Sequence, residues 1–178
     1  REPFVYRVAP SILNLFPKET IHWKDLDLLE LQQSSIQAIS VKRKGQPPLQ
    51  LIYQSADSRW TGKLSGEDVT DLVLENDVEE FRQKLAAFSA HRWVTSFQPL
   101  EKLREPVLEI RLTGKEFDSD ETETHVLRFV PSGNAKSPLY YFGQLEGVAE
   151  PFLIERKTFE QLNRALLDKK KETLPTAE

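Results

Sequence analysis

A pattern of three short strands, ending in an aromatic strand and a turn, occurs twice in this chain, over residues 36–64 and 107–145. A second pair of matches flanks the two runs. Glu2-Pro3-Phe4-Val5 opens the chain, and Glu150-Pro151-Phe152-Leu153 recurs near its end. Each copy of the tetrapeptide starts a strand that runs into a short amphipathic helix. A doubled pattern constrains the fold more than any single motif, because repeated units must bury their apolar faces on one another or on shared helices. Repeats of this kind build surfaces, and no other feature of the chain builds a catalytic site.

The chain has 178 residues, enough for one domain or two small ones with a real core. Its formal net charge is −4, and its cations are scattered apart from Lys42-Arg43-Lys44 and Lys169-Lys170-Lys171. That balance disfavours nucleic acid, which needs a clustered basic face. Cysteine is absent, so no disulfide, thiolate metal site or cysteine nucleophile is available. A cysteine-free chain is compatible with an oxidising compartment. The chain contains no methionine and opens at Arg1, and the expectation is that it is a piece of a longer protein. No stretch is apolar enough to span a membrane, and no signal peptide is visible.

Periodicity orders the elements. Phe4–Val8 reads as a strand, followed by a short helix carrying Ile12, Leu13, Leu15 and Phe16. Asp25–Leu29 reads as a helical turn. Ile39 and Val41 alternate with Ser40 and Lys42, then Leu49, Leu51 and Tyr53 alternate, and Arg59–Leu64 closes the first group. A helix is expected over Asn76–Ala90, capped by Asn76 or Asp77, with Val78, Phe81, Leu85 and Phe88 as its apolar stripe. Arg92–Phe97 is strand-like. In the second group Leu108, Ile110 and Leu112 share one face, Val126–Val130 follows, and Leu139–Gly143 ends it. Phe152–Ile154 adds a strand, and Thr158 caps a last helix bearing Phe159, Leu162 and Leu166.

Adjacent short strands with tight turns pair antiparallel, and helices must cover one face. The expected class is α+β: two small antiparallel sheets, as repeated three-strand meanders, each backed by one or two helices. The expected division is 1–98 for the first repeat region with the end of an upstream unit, 99–106 for a linker, 107–168 for the second repeat region and 169–178 for a tail.

Phe4–Phe16 followed by Trp23-Lys24-Asp25-Leu26 and Ile36–Val41, with the Leu51–Trp60 strand pair and the helix around Val78–Leu85, resembles a bacterial family of envelope repeats of the domain-of-unknown-function kind. That family occurs beside ABC transporters and gliding-motility-type auxiliary subunits. The resemblance implies an extracytoplasmic part, periplasmic or cell-envelope, of a membrane-anchored protein with an envelope protein as partner. It carries no catalytic residues and transfers none.

The residues themselves mark little chemistry. His22, His91 and His125 are far apart, and His91 is read as a cation at a helix C-terminus. The acidic run Glu116–Glu123 lacks the glycine and terminal glutamate of a calcium loop and reads as a solvated hairpin loop. No nucleophile elbow, phosphate loop or dinucleotide fingerprint is present. Catalytic, cofactor and metal residues are therefore expected to be none. Tyr140, Tyr141 and Phe142 are the candidate ligand or partner contacts, with Tyr140 and Phe142 on one face of their strand and Tyr141 on the other. Trp60 is expected in the core. The leading expectation is a non-catalytic interaction or scaffold module, auxiliary to an ABC-type transport system. A glycan- or peptide-binding domain, or an enzyme with an unmarked carboxylate pair, stands as the alternative.

Overall fold

The fold is described from a computed structural model, which defines residues 24–94, 102–115, 122–133 and 137–168. The expected strand at 4–8, the helix that follows it, His22, most of the acidic run and the tail lie outside these residues. The elements in chain order are β1 (Asp27–Glu30), β2 (Ile36–Arg43), β3 (Leu49–Gln54), β4 (Arg59–Leu64), β5 (Glu67–Asp68), α1 (Glu75–Ala86), β6 (Ala87–Ser89), β7 (Arg92–Trp93), β8 (Leu108–Lys115), β9 (Thr122–Pro131), β10 (Tyr140–Leu145), β11 (Phe152–Glu155) and α2 (Arg156–Leu162). Single 3-10 turns sit at Gln33–Ser35, Thr70–Leu72 and Lys102–Arg104. The class is α+β and rich in strands.

The two three-strand runs are meanders, β2-β3-β4 and β8-β9-β10, each paired antiparallel throughout. They do not form two separate small sheets, as alternation alone suggested. β2 pairs antiparallel with β8, from Ile36 opposite Gly114 to Arg43 opposite Leu108, and this joins the runs into one nine-stranded sheet ordered β5-β4-β3-β2-β8-β9-β10-β11-β7. The reason is physical. Each meander would otherwise end on a long strand with a free row of amides and carbonyls, and pairing β2 with β8 satisfies both at once.

One face of this sheet carries the main core. Ile39, Val41, Leu51, Leu108, Ile110, Leu112, Leu127 and Phe129 point to it and are fully buried. α1 contributes Val78, Phe81 and Leu85, and α2 contributes Phe159 and Leu162. The core is aliphatic under β2–β4, apart from Trp60 and Phe81. Under β9–β11 it is aromatic: Phe129 meets Phe88, Phe152 and Phe159 edge-on at centroid distances of 6.1, 6.2 and 6.3 Å. Gly143 makes room for this cluster. A Cβ there would lie 2.2 Å from the Phe152 ring, so only glycine lets that ring lie over β10.

Several local expectations are corrected. Asp25–Leu29 is not a helical turn: Asp27–Glu30 is β1, paired with β6 so that Leu29 lies opposite Phe88. The helix expected to reach Ala90 stops at Ala86, because the chain there turns extended to pair with β1. Leu31 N–H donates to the Ala86 carbonyl, and Ala90 N–H to that of Leu26. Neither Asn76 nor Asp77 caps α1; Leu74 holds that position, and the Val78 amide donates to its carbonyl. Thr158 lies inside α2, which starts at Arg156 after Glu155, and Leu166 is buried but lies beyond the helix. The segment expected to be a linker includes the 3-10 turn at 102–104, whose Leu103 is buried. Among the described residues no helix is long and apolar enough to cross a membrane.

Candidate functional site

The candidate aromatics lie on β10, and its alternation divides them. Register places Tyr141 on the core side and Tyr140 and Phe142 on the outer side, opposite Glu155 and Leu153. Tyr141 stacks flat on Phe159 of α2, with centroids 3.6 Å apart and planes 5° from parallel. Burial raises the pKa of its phenol. Its ring is engaged in holding α2 to the sheet. Phe142 pairs in register with Val130 and Leu153 within the outer face.

Tyr140 stands apart from the other two. Its ring lies 5.4 Å from His91 and 6.0 Å from the Arg92 guanidinium. The Tyr140 carbonyl accepts from the Ser132 hydroxyl at 2.6 Å. Leu139 beside it is 75% exposed, the most open large apolar side chain among the described residues. His91 is not a helix cap, since β6 separates it from α1. Its Nδ1 lies 3.4 Å from Glu155 Oε1, and its amide donates to the Leu153 carbonyl. These groups form a small mixed patch at the β7 end of the sheet.

A cleft of about 380 Å³ opens at the other side of the molecule, between the β2–β3 turn, the end of β4 and the segment after α2. Pro47, Leu49, Leu64, Leu166 and Leu167 make most of its wall. Among the described lining residues Arg43 alone is charged. That guanidinium donates from Nε to Asn163 Oδ1 at 2.9 Å and from Nη2 to the Arg164 carbonyl at 2.6 Å. It thus ties the end of β2 to the segment just beyond α2. Burial lowers the Arg43 pKa. The cleft can receive an apolar group, and its described lining residues include no carboxylate, imidazole or hydroxyl.

Two polar constellations were not legible in the sequence. Glu79 on α1 accepts from Trp60 Nε1 at 2.7 Å, from Arg82 Nη1 at 3.1 Å and from Gln33 Nε2 at 2.9 Å. Arg82 is 5% exposed, its guanidinium 4.8 Å from the Tyr53 ring and 5.5 Å from that of Trp60. Trp60 itself is buried, as expected. The i, i+3 spacing of Glu79 and Arg82 was the one available signal, and it is common on solvated helices. On the outer face Arg128 bonds Glu109 at 3.0 Å and Glu146 at 2.8 Å. Burial works against the Arg128 charge, but these carboxylates outweigh it and hold its pKa above the ordinary arginine value.

Other charges are similarly engaged. Arg164 bonds Glu80 at 2.6 Å and also pairs with Asp77, tying the segment after α2 to the first two turns of α1. His125 Nε2 lies 3.3 Å from Glu123 Oε1 but has no hydrogen-bond partner among the described residues. Among the described residues no three imidazole or carboxylate side chains gather as a metal-binding cluster. No protein-family model, curated protein or solved structure matches this chain.

Proposed function

We propose that this chain is a non-catalytic interaction or scaffold module of a membrane-anchored bacterial envelope protein, auxiliary to an ABC-type transport system. The observation that carries the reading is the use to which the charged side chains are put. In the cleft described above, Arg43 is committed to Asn163 and the Arg164 carbonyl, and among the described residues no acid, base or nucleophile faces the space. Chemistry needs such a group held in a shielded pocket. What the fold leaves free is broad sheet surface, which suits protein contact.

The connectivity supports a duplicated unit. β2-β3-β4-β5 followed by α1 has the same order of neighbours as β8-β9-β10-β11 followed by α2. Together with the resemblance to envelope repeats, this favours a protein built by repeating one sheet-and-helix unit. A second reading, peptide or glycan binding at Tyr140, is favoured by the exposed Leu139 beside its ring.

The test is capture from an envelope extract of the source cells with the immobilised chain, followed by identification of the bound proteins. A transporter subunit is expected. Recovery of nothing, together with hydrolysis of a cell-wall glycan that one Asp or Glu substitution abolishes, overturns the proposal.

A further inference from the structure

Arg43 has no counter-ion among the described residues. The other described arginines that are not solvent-exposed all have one: Arg82 pairs with Glu79, Arg128 with Glu109 and Glu146, and Arg164 with Asp77 and Glu80. Arg43, half-buried like Arg128 and Arg164, bonds only the Asn163 amide oxygen and the Arg164 carbonyl, and both are neutral. Burial therefore lowers its pKa with no carboxylate to offset it, the opposite of Arg128. A guanidinium taken partly out of water costs free energy unless an anion lies beside it. This uncompensated charge lies in the wall of the cleft between the β2–β3 turn, the end of β4 and the segment after α2.

The guanidinium also keeps donors in reserve. Its bonds to Asn163 and Arg164 take the Nε proton and one Nη2 proton. The Nη1 protons and the other proton on Nη2 have no partner among the described residues. One N–H from each terminal nitrogen thus remains for the paired bonds that a carboxylate accepts. Gln46 lines the same cleft, and its side-chain amide has no hydrogen-bond partner among the described residues either. Pro47, Leu49, Leu64, Leu166 and Leu167 make the wall beside these polar groups apolar. At about 380 Å³ the cleft has the size of a small-molecule site.

We propose that this cleft binds a small monocarboxylate with an apolar tail, its carboxylate on Arg43 and its tail along Leu49, Leu64 and Leu167. The site goes beyond the interaction-module reading and does not depend on it. Charge complementarity selects the occupant. One cation balances one negative charge, so a carboxylate is neutralised where a doubly charged phosphate ester is not. A cationic amphiphile would set like charge on like. A peptide C-terminus carries the same carboxylate, but its backbone amides would meet proline and leucine side chains that offer them no acceptor.

The experiment follows the amide NMR shifts of the full, isotope-labelled chain as sodium octanoate is added. Shifts are expected to concentrate at residues 43–49, at Leu64 and at residues 163–167. Hexanoate should bind more weakly, by about fourfold for each methylene withdrawn from the wall. Octan-1-ol and octyltrimethylammonium should bind about tenfold or more weakly than octanoate, the scale of a charge-assisted hydrogen bond. Arg43→Gln should bring octanoate down to the level of octan-1-ol. Ala165→Glu places a carboxylate at an exposed lining position next to Arg164. It supplies the counter-ion from the chain itself, should weaken octanoate by about tenfold, and decides the matter if Arg43→Gln fails to fold. Leu139→Ala should leave binding unchanged. Failure of octanoate to bind, equal binding of octanoate and octan-1-ol, shifts centred elsewhere, or indifference to Ala165→Glu overturns the proposal. Tighter binding of octyl phosphate or of a leucine-ended peptide overturns the small monocarboxylate as occupant. Binding that appears only with Glu172→Gln and Glu178→Gln assigns the counter-ion to this chain's own carboxylates and overturns the external ligand.

Discussion

The two halves of the sheet have the same strand connectivity and opposite outer faces. Over β4, β3, β2 and β8 the outer residues are exposed and mostly polar or basic. Over β9, β10 and β11 the outer positions Val126, Val130 and Leu153 are 3–5% exposed, and with Leu103 they lie outside the main core. The change occurs within one strand pair, where exposed Arg111 stands opposite buried Val126. The inner faces differ as well: aliphatic with one Glu79–Arg82–Trp60 knot on the first side, and a cluster of phenylalanine rings on the second. One connectivity thus supports two uses. The second half is packed on both faces and reads as the anchor, while the first offers a free face.

The strongest way to break this comparison is to ask whether the halves stand or fall together. Phe81→Ala under the first half and Phe129→Ala under the second each remove a fully buried ring, and each should cost about 3–5 kcal/mol. With one core, both variants should lower a single denaturation transition. Two transitions, with only one displaced by each variant, would separate the halves.

Matched outer-face truncations sharpen the contrast. Leu153→Ala, on the buried outer face, should cost about 2–4 kcal/mol. Ile52→Ala, on the exposed one, should change stability by less than about 0.5 kcal/mol. Equal costs in urea titrations would erase the distinction between the faces.

The polar knot gives a third test. Glu79→Ala removes the acceptor for Trp60, Gln33 and the buried Arg82, and a loss of about 2 kcal/mol is expected from stranding a charged donor. A neutral result in thermal denaturation would show that Arg82 finds solvent instead. Gly143→Ala should cost about 1–2 kcal/mol, because the Phe152 ring must move from a packed cluster; wild-type stability of that variant would show the ring free to shift.

The smallest effect is electrostatic. Hydrogen bonds from the Thr70 hydroxyl and amide lower the Asp68 pKa, and a hydrogen bond from Lys24 lowers that of Glu150. Groups lowered on folding add stability above the ordinary carboxylate range and lose that contribution as pH falls through their folded values. The denaturation midpoint should therefore fall on acidification through that window. Asp68→Asn should make the fall shallower, and an unchanged pH profile would show that this carboxylate contributes nothing.

The sequence made the local pieces readable. Two-residue alternation located Leu49, Leu51 and Tyr53 on one strand and Leu108, Ile110 and Leu112 on another, and three- and four-residue spacing identified Val78, Phe81 and Leu85 as the buried stripe of α1. It also separated Tyr141 from Tyr140 and Phe142. Alternation gives a strand's faces but not its neighbours, so the pairing of β2 with β8 was hidden. The end of α1 was hidden for the same reason. Phe88 fits a helical stripe as well as a strand, and only β1, distant in sequence, decides between them. Tyr140 differs from Tyr141 in what it touches because His91 and Arg92 approach it from β7 across β11, a contact no local pattern records.

Hydrogen exchange in the native state tests the joined sheet most directly. The hydrogen-bonded amides of β2 around Ile39 and Val41 and those of β8 around Ile110 and Leu112 should exchange only through the same global opening, with matching free energies and matching dependence on denaturant. If the amides of one meander exchange through a separate, lower-energy opening while the other stays protected, the two runs are independent units, and the account of one sheet with an anchored half and a presenting half is wrong.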